Sequence, residues 1–171
     1  LNNPKAYLYQ LLKEYNFTDW TQIATLLEAQ SGKQILSSTH RLLKNRSQLI
    51  LRPLNASSEL SILIESSEKN ISIPVQPFDL KLEITTFIEP TSNNVLYLDF
   101  ESLQFPLRLS HWKIGDYFYP SGMSGKKKLS KFFKDEKLSL IEKENTIVLY
   151  SENNVVWVVG KRADQRFLAT K

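Results

Sequence analysis

Apolar residues recur at helical spacing near the start of the chain and once again near residue 130; elsewhere they alternate with polar residues or run together. In NNPKAYLYQLLKEYNF, Leu8, Leu11, Leu12 and Tyr15 share one helical stripe, with Asn3 as cap and Pro4 at the first helical position. A second helix is predicted from Thr18 or Asp19, with Ile23, Leu26 and Leu27 on its inner face and Ser31-Gly32 as its stop. From Lys33 the period changes. KQILSST, HRLLK, SQLILRP and LSILIES, broken by Lys44-Asn45-Arg46 and similar turns, predict strands joined by hairpins. ISIPV, LKLEITTF and VLYLDF add strands, with a turn at Asn93-Asn94, and TIVLY and VVWVVG form a late hairpin around Ser151 to Asn154. One more helix is predicted in GKKKLSKFFKD, after the aromatic strand-and-turn stretch HWKIGDYFYPSGM.

Helices at the front, a majority of strands and one rear helix predict an α+β fold in two small modules. The boundary is placed where a proline interrupts between Glu101 and Pro106. It gives residues 1–101, two helices followed by antiparallel strands, and residues 102–171, a mixed α/β domain with a basic helix and a terminal hairpin.

Composition adds limits. The 171 residues are 42% hydrophobic and 23% charged, as in a soluble globular protein, and contain no internal repeat. Cysteine is absent, which removes disulfides and thiol chemistry and fits a cytoplasmic location. No apolar run approaches the roughly 20 residues of a membrane span. The start at Leu1, without methionine or signal pattern, predicts a piece of a longer protein. Charge is uneven: residues 1–101 hold 9 Lys and Arg against 11 Asp and Glu, and residues 102–171 hold 13 against 7. The rear module is therefore expected to meet an anion.

The stretch SGMSGKKKLSKFF is where such an anion would bind. A Walker A loop needs four residues between its glycines, and Gly122 and Gly125 have two between them, so a nucleotide loop is excluded. Read as a helix from Ser124 or Gly125, the segment places Leu129, Phe132 and Phe133 on an apolar face and Lys127, Lys131 and Lys134 on the opposite one, with Lys126 and Lys128 flanking the seam. The lysine row reads either as a solvated face or as a phosphate-binding one. The near-absence of interspersed acids, Asp135 apart, favours the second. Arg162 and Arg166 follow the late apolar run and are candidates to join it. His40 and His111 lack metal spacing, Asp99 and Glu101 read as surface acids, and no catalytic motif or metal site is visible.

From Phe105 onward the chain resembles a known family. Pro106-Leu107, Gly115-Asp116 followed by Phe118 and Pro120, Gly122-Met123, Gly125-Lys126-Lys127-Lys128-Leu129 with Phe132-Phe133, Asp135 with Lys137, and Trp157-Val158-Val159-Gly160 with Arg162 and Arg166 are similar, in this order, to the C-terminal domain of the isoleucine-tRNA lysidine synthetases. SGKQILSSTHRLLKNRSQLIL agrees more loosely. The resemblance implies an ATP-dependent ligase that attaches lysine to the wobble cytidine of an isoleucine tRNA with a CAU anticodon. In that family ATP, with Mg2+, and lysine belong to an N-terminal domain bearing a Ser-Gly-Gly-x-Asp-Ser loop, a motif this sequence lacks. The present residues are then the middle and C-terminal portions, inactive alone, without cofactor, holding tRNA and compatible with a homodimer. Arg108, Lys113, Lys126, Lys127 and Lys128 are the expected RNA contacts, together with Lys131, Lys134, Arg162 and Arg166. The chain departs from the family at Ser110, Tyr117 and Tyr119, where basic residues are common. Either Arg108, Lys113 and the lysine row take over those contacts, or the tyrosines touch RNA sugar or bases. A reading from another class, a non-catalytic interaction or dimerisation module with an acidic partner, uses the same lysines.

Overall fold

A computed structural model describes residues 3–54, 60–66, 71–75, 78–89 and 95–170. The order is α1 (Pro4–Leu12), α2 (Trp20–Thr25), β1 (Gln34–Leu36), β2 (His40–Asn45), β3 (Gln48–Pro53), β4 (Ser61–Ile64), β5 (Ile71–Val75), β6 (Phe78–Leu82), β7 (Leu107–His111), β8 (Tyr117–Phe118), β9 (Lys127–Lys128), α3 (Leu129–Asp135), α4 (Leu140–Glu144), β10 (Ile147–Ser151), β11 (Asn154–Val158) and β12 (Arg162–Ala163). The fold is α+β, with antiparallel sheets.

The chain divides into two compact units, one of residues 1–58 with 138–143, the other of residues 59–137 with 144–171. This differs from the expected boundary at 101/102. The hydrogen bonding of β4 explains the difference: it pairs with β7, Ile62 opposite Leu109, and so joins the rear sheet although it lies forty residues before the proline break.

In the first unit the side chain of Asn3 accepts from Ala6 N at 3.2 Å and that of Asp19 from Gln22 N at 2.8 Å, each satisfying an orphan amide of a helix start. Leu8, Leu12, Ile23 and Leu26 are buried with Ile35 and Leu42 of the sheet β1-β2-β3, whereas Leu11 stands 70% exposed on the outer side of α1. Arg46, at φ 54, makes the β2–β3 turn.

The second unit is built on a five-stranded sheet in the order β12-β11-β10-β7-β4. Every residue of β10 is buried, and Ile147 and Leu149 join Leu107, Leu109, Ile64 and Val156 in one core. Of the predicted strands, LKLEITTF is a strand only to Leu82, after which Thr85 Oγ1 turns the chain by accepting from Phe87 N. VLYLDF forms no ladder: Leu98 makes a single bridge to Leu168, flanked by Asp99 N to Phe167 O at 2.9 Å. Asn93-Asn94 lies outside the described residues.

Candidate nucleic-acid interface

The segment expected to be one basic helix is a strand, a corner and a shorter helix. Gly125 has φ +79, a conformation that cannot begin a right-handed helix. Lys127 and Lys128 then run extended and pair with Phe118 and Tyr117. Only from Leu129 does the chain turn helical, with Leu129 N bonded to Asp116 O at 2.9 Å. The apolar half of the expectation holds: Leu129, Phe132 and Phe133 are at most 1% exposed, with Phe132 edge-on to Phe118 and Phe133 edge-on to Trp112. The lysine row is corrected. Lys131 and Lys134 are exposed on α3, but Lys127 lies on β9, half-buried, 2.8 Å from Asp135. Lys126 and Lys128 likewise precede the helix.

Around β8 the extended chain alternates. Phe118 points into the core, so Tyr117 and Tyr119 share the opposite side. Each ring carries a cation drawn from elsewhere: Lys126 Nζ lies 3.8 Å from the Tyr117 centroid, and Arg166 Cζ lies 4.5 Å from that of Tyr119. Where the family resemblance leads one to expect arginines, this chain thus has tyrosines with cations stacked on them.

Arg166 is held by Asp164, an acid with no exposed surface. Arg166 Nε donates to Oδ1 at 3.0 Å and Nη2 to Oδ2 at 2.9 Å, a two-pronged contact that raises the pKa of the guanidinium further. The same carboxylate accepts from Arg166 N and from Tyr119 N, both at 2.9 Å. Arg162 reaches the same loop, Nη1 donating to Ser121 O at 3.1 Å, while its Nε is buried and bonded to no described residue.

Of two further expected contacts, Arg108 is engaged and Lys113 keeps an exposed side chain. Arg108 is half-buried, donating to Ser110 Oγ and stacked 4.1 Å over Tyr150. Ser110 is therefore its buried partner, not an exposed gap in a basic surface. Lys113 opens a turn in which its own backbone N donates to Asp116 Oδ2 at 2.6 Å, and Tyr150 Oη donates to the same oxygen at 2.5 Å. Burial, then Asp116, push the Tyr150 hydroxyl far above its usual range.

The structure thus gathers Lys126, Lys128, Arg162 and Arg166 with two tyrosines about the β8–β9 hairpin, sets Lys131 and Lys134 on the next helix, and withdraws Arg108 and Lys127 into pairs. Sequence reasoning gave no role to Asp164, Asp116 or Tyr150. The arginines two residues either side of Asp164 were the available signal for the first; the other two are joined across 34 residues and left none.

His40 Nδ1 lies 2.9 Å from Thr39 Oγ1, and Asp99 caps the short turn that follows it by accepting from Glu101 N. Among the described residues no three His, Cys, Asp or Glu side chains converge as metal ligands. No described helix is long and apolar enough to cross a membrane.

Residues 1–54 match the family model described as TilS substrate binding domain, and residues 107–171 match that described as TilS substrate C-terminal domain. The chain belongs to the TilS family. The tRNA(Ile)-lysidine synthase of Parabacteroides distasonis is 43% identical over 167 residues, 96% of this chain and 38% of that protein. Those of Bacteroides thetaiotaomicron and Porphyromonas gingivalis are 31% and 33% identical, again over 96% of this chain. The chain spans between 37% and 39% of the length of these relatives. A crystal structure of a TilS C-terminal domain superposes with a TM-score of 0.54 at 21% identity, covering 65% of this chain and 87% of that one, and shares the fold.

The two TilS matches also redraw the charge map. Residues 1–54 hold seven Lys and Arg against three Asp and Glu, residues 107–171 thirteen against seven, and the unmatched residues 55–106 two against eight. Both TilS segments are basic, and the acids that made the front appear neutral lie between them.

Proposed function

We propose that this chain holds tRNA for an ATP-dependent ligase that attaches lysine to the wobble cytidine of an isoleucine tRNA, in the cytoplasm, with ATP and lysine bound by a further domain of the whole protein. The observation that carries the reading is the surface about the β8–β9 hairpin, where Lys126 and Arg166 stack on Tyr117 and Tyr119 beside Lys128 and Arg162. Cations of this kind meet backbone phosphates, and tyrosines beside them offer hydroxyls and ring edges to sugar and bases. The chain's part in the reaction is positional. Energy gained along the tRNA body fixes the anticodon relative to the reacting groups, so basic residues remote from the chemistry contribute to its rate.

Binding of isoleucine tRNA by the 171-residue chain across a salt series tests this. With about 4 to 6 phosphates neutralised, log K falls against log salt with a slope of magnitude near 3 to 5. No tRNA binding, or binding indifferent to salt, removes the reading and leaves the same lysines to an acidic protein partner.

A further inference from the structure

We infer that Asp164 is a positioning residue for RNA binding, which presets the Arg166 guanidinium as a rigid fork for one backbone phosphate. The inference rests on the tRNA reading and adds to it an acid with which a basic surface would not be credited.

Burying a carboxylate is costly unless every lone pair is used. Asp164 meets that condition with four donors: Arg166 N, Nε and Nη2, and Tyr119 N. A guanidinium needed only to neutralise this charge would be buried with it. Arg166 is not, since 38% of its side chain is exposed. The carboxylate takes the Nε–Nη2 edge, and Tyr119 covers one face of the plane. What the planar geometry leaves is the Nη1–Nη2 edge, the second two-pronged edge of an arginine, and no described residue accepts from Nη1. That edge matches two phosphate oxygens. Because the rotamers are already fixed, little side-chain entropy is lost when the phosphate arrives.

Counting charges and positioning predict opposite signs for one substitution. Asp164→Asn removes a negative charge and leaves every cation, so a surface that works by net charge binds tRNA equally or more tightly. With the fork released, binding instead weakens on the order of five- to tenfold, the scale of one lost charge-assisted contact, with little change in salt slope. Arg166→Gln lowers the slope by about one. Arg166→Lys keeps the slope yet weakens binding, since an ammonium cannot form the fork. Affinities are compared per folded molecule, with circular dichroism melts giving the folded fraction; should Asp164→Asn not fold, the two Arg166 variants decide. Wild-type binding that Asp164→Asn leaves equal or tighter, or that both Arg166 variants leave unchanged, overturns the inference and spares the tRNA reading. Failure of the wild type to bind tRNA overturns both.

Discussion

Lys127 Nζ lies 2.8 Å from Asp135 Oδ2, which ties the strand just before α3 to the last residue of that helix. The lysine is largely covered, with 16% of its side chain exposed, and its charge is already answered. Lys131 and Lys134 stand exposed on the helix between them. In the tRNA salt series, Lys131→Gln and Lys134→Gln are each expected to reduce the slope by about 0.9, and Lys127→Gln by clearly less. Equal losses at all three would show that the Lys127–Asp135 pair opens on binding and that the row acts as a unit after all.

The same pair makes an acid-side prediction. The hydrogen bond from Lys127 first, then the fields of Lys127, Lys131 and Lys134, hold the Asp135 pKa below its ordinary 3.8. A carboxyl whose folded pKa is depressed adds stability above its unfolded pKa and loses it as pH falls through the folded one. The urea midpoint of Lys127→Gln should therefore lie below that of the wild type at neutral pH, and the gap should close below pH 3.8. A gap of constant size would mean that Lys127 acts through packing alone.

Tyr150 gives the alkaline counterpart. Its hydroxyl is buried against Asp116, and its pKa is raised well beyond the ordinary 10.0 by burial and by that carboxylate. A group whose pKa rises on folding supports the fold fully below the unfolded value, and the support is lost as pH climbs above it. Stability should fall above pH 10, and this decline should be shallower in Tyr150→Phe, which lacks the ionisable group. At neutral pH the variant should be less stable by about 1 kcal/mol for the lost hydrogen bond. Phenolate absorbance on titration should show one tyrosine that ionises only on unfolding.

What the sequence made legible was governed by local periodicity. Asn3 and Asp19 cap because a short side-chain acceptor at a helix start bonds whichever amides follow it, and Phe132 and Phe133 are buried because three and four residues separate them from Leu129. What it hid depended on distant pairing. Lys127 and Lys128 have the composition of a helix surface, but Tyr117 and Phe118 supply a ladder that competes with it and wins. The join of β4 to β7 likewise moved the unit boundary away from Pro106, since a proline marks a local break and not the edge of a sheet. Of the expected contacts, those that a partner distant in sequence had already engaged, Arg108 on Tyr150, Arg162 on Ser121 and Arg166 on Tyr119, were the ones whose setting could not be read from spacing.

The clearest test of that lesson is the sign of a single substitution at Gly125. If this residue opened a helix, alanine there would stabilise the protein by as much as about 1 kcal/mol, because glycine is among the poorest helix formers. In the structure Gly125 has φ +79 and a Cβ added there would meet no atom within 4 Å, so alanine meets conformational strain but no clash. Gly125→Ala is then expected to destabilise by roughly 1 to 2 kcal/mol, the cost of left-handed backbone for a residue with a Cβ. Gly125→Asn should recover part of the loss, since asparagine tolerates that region better than alanine. Denaturant midpoints of the three proteins decide it. A stabilising alanine would restore the continuous basic helix, and with it a single row of Lys127, Lys131 and Lys134.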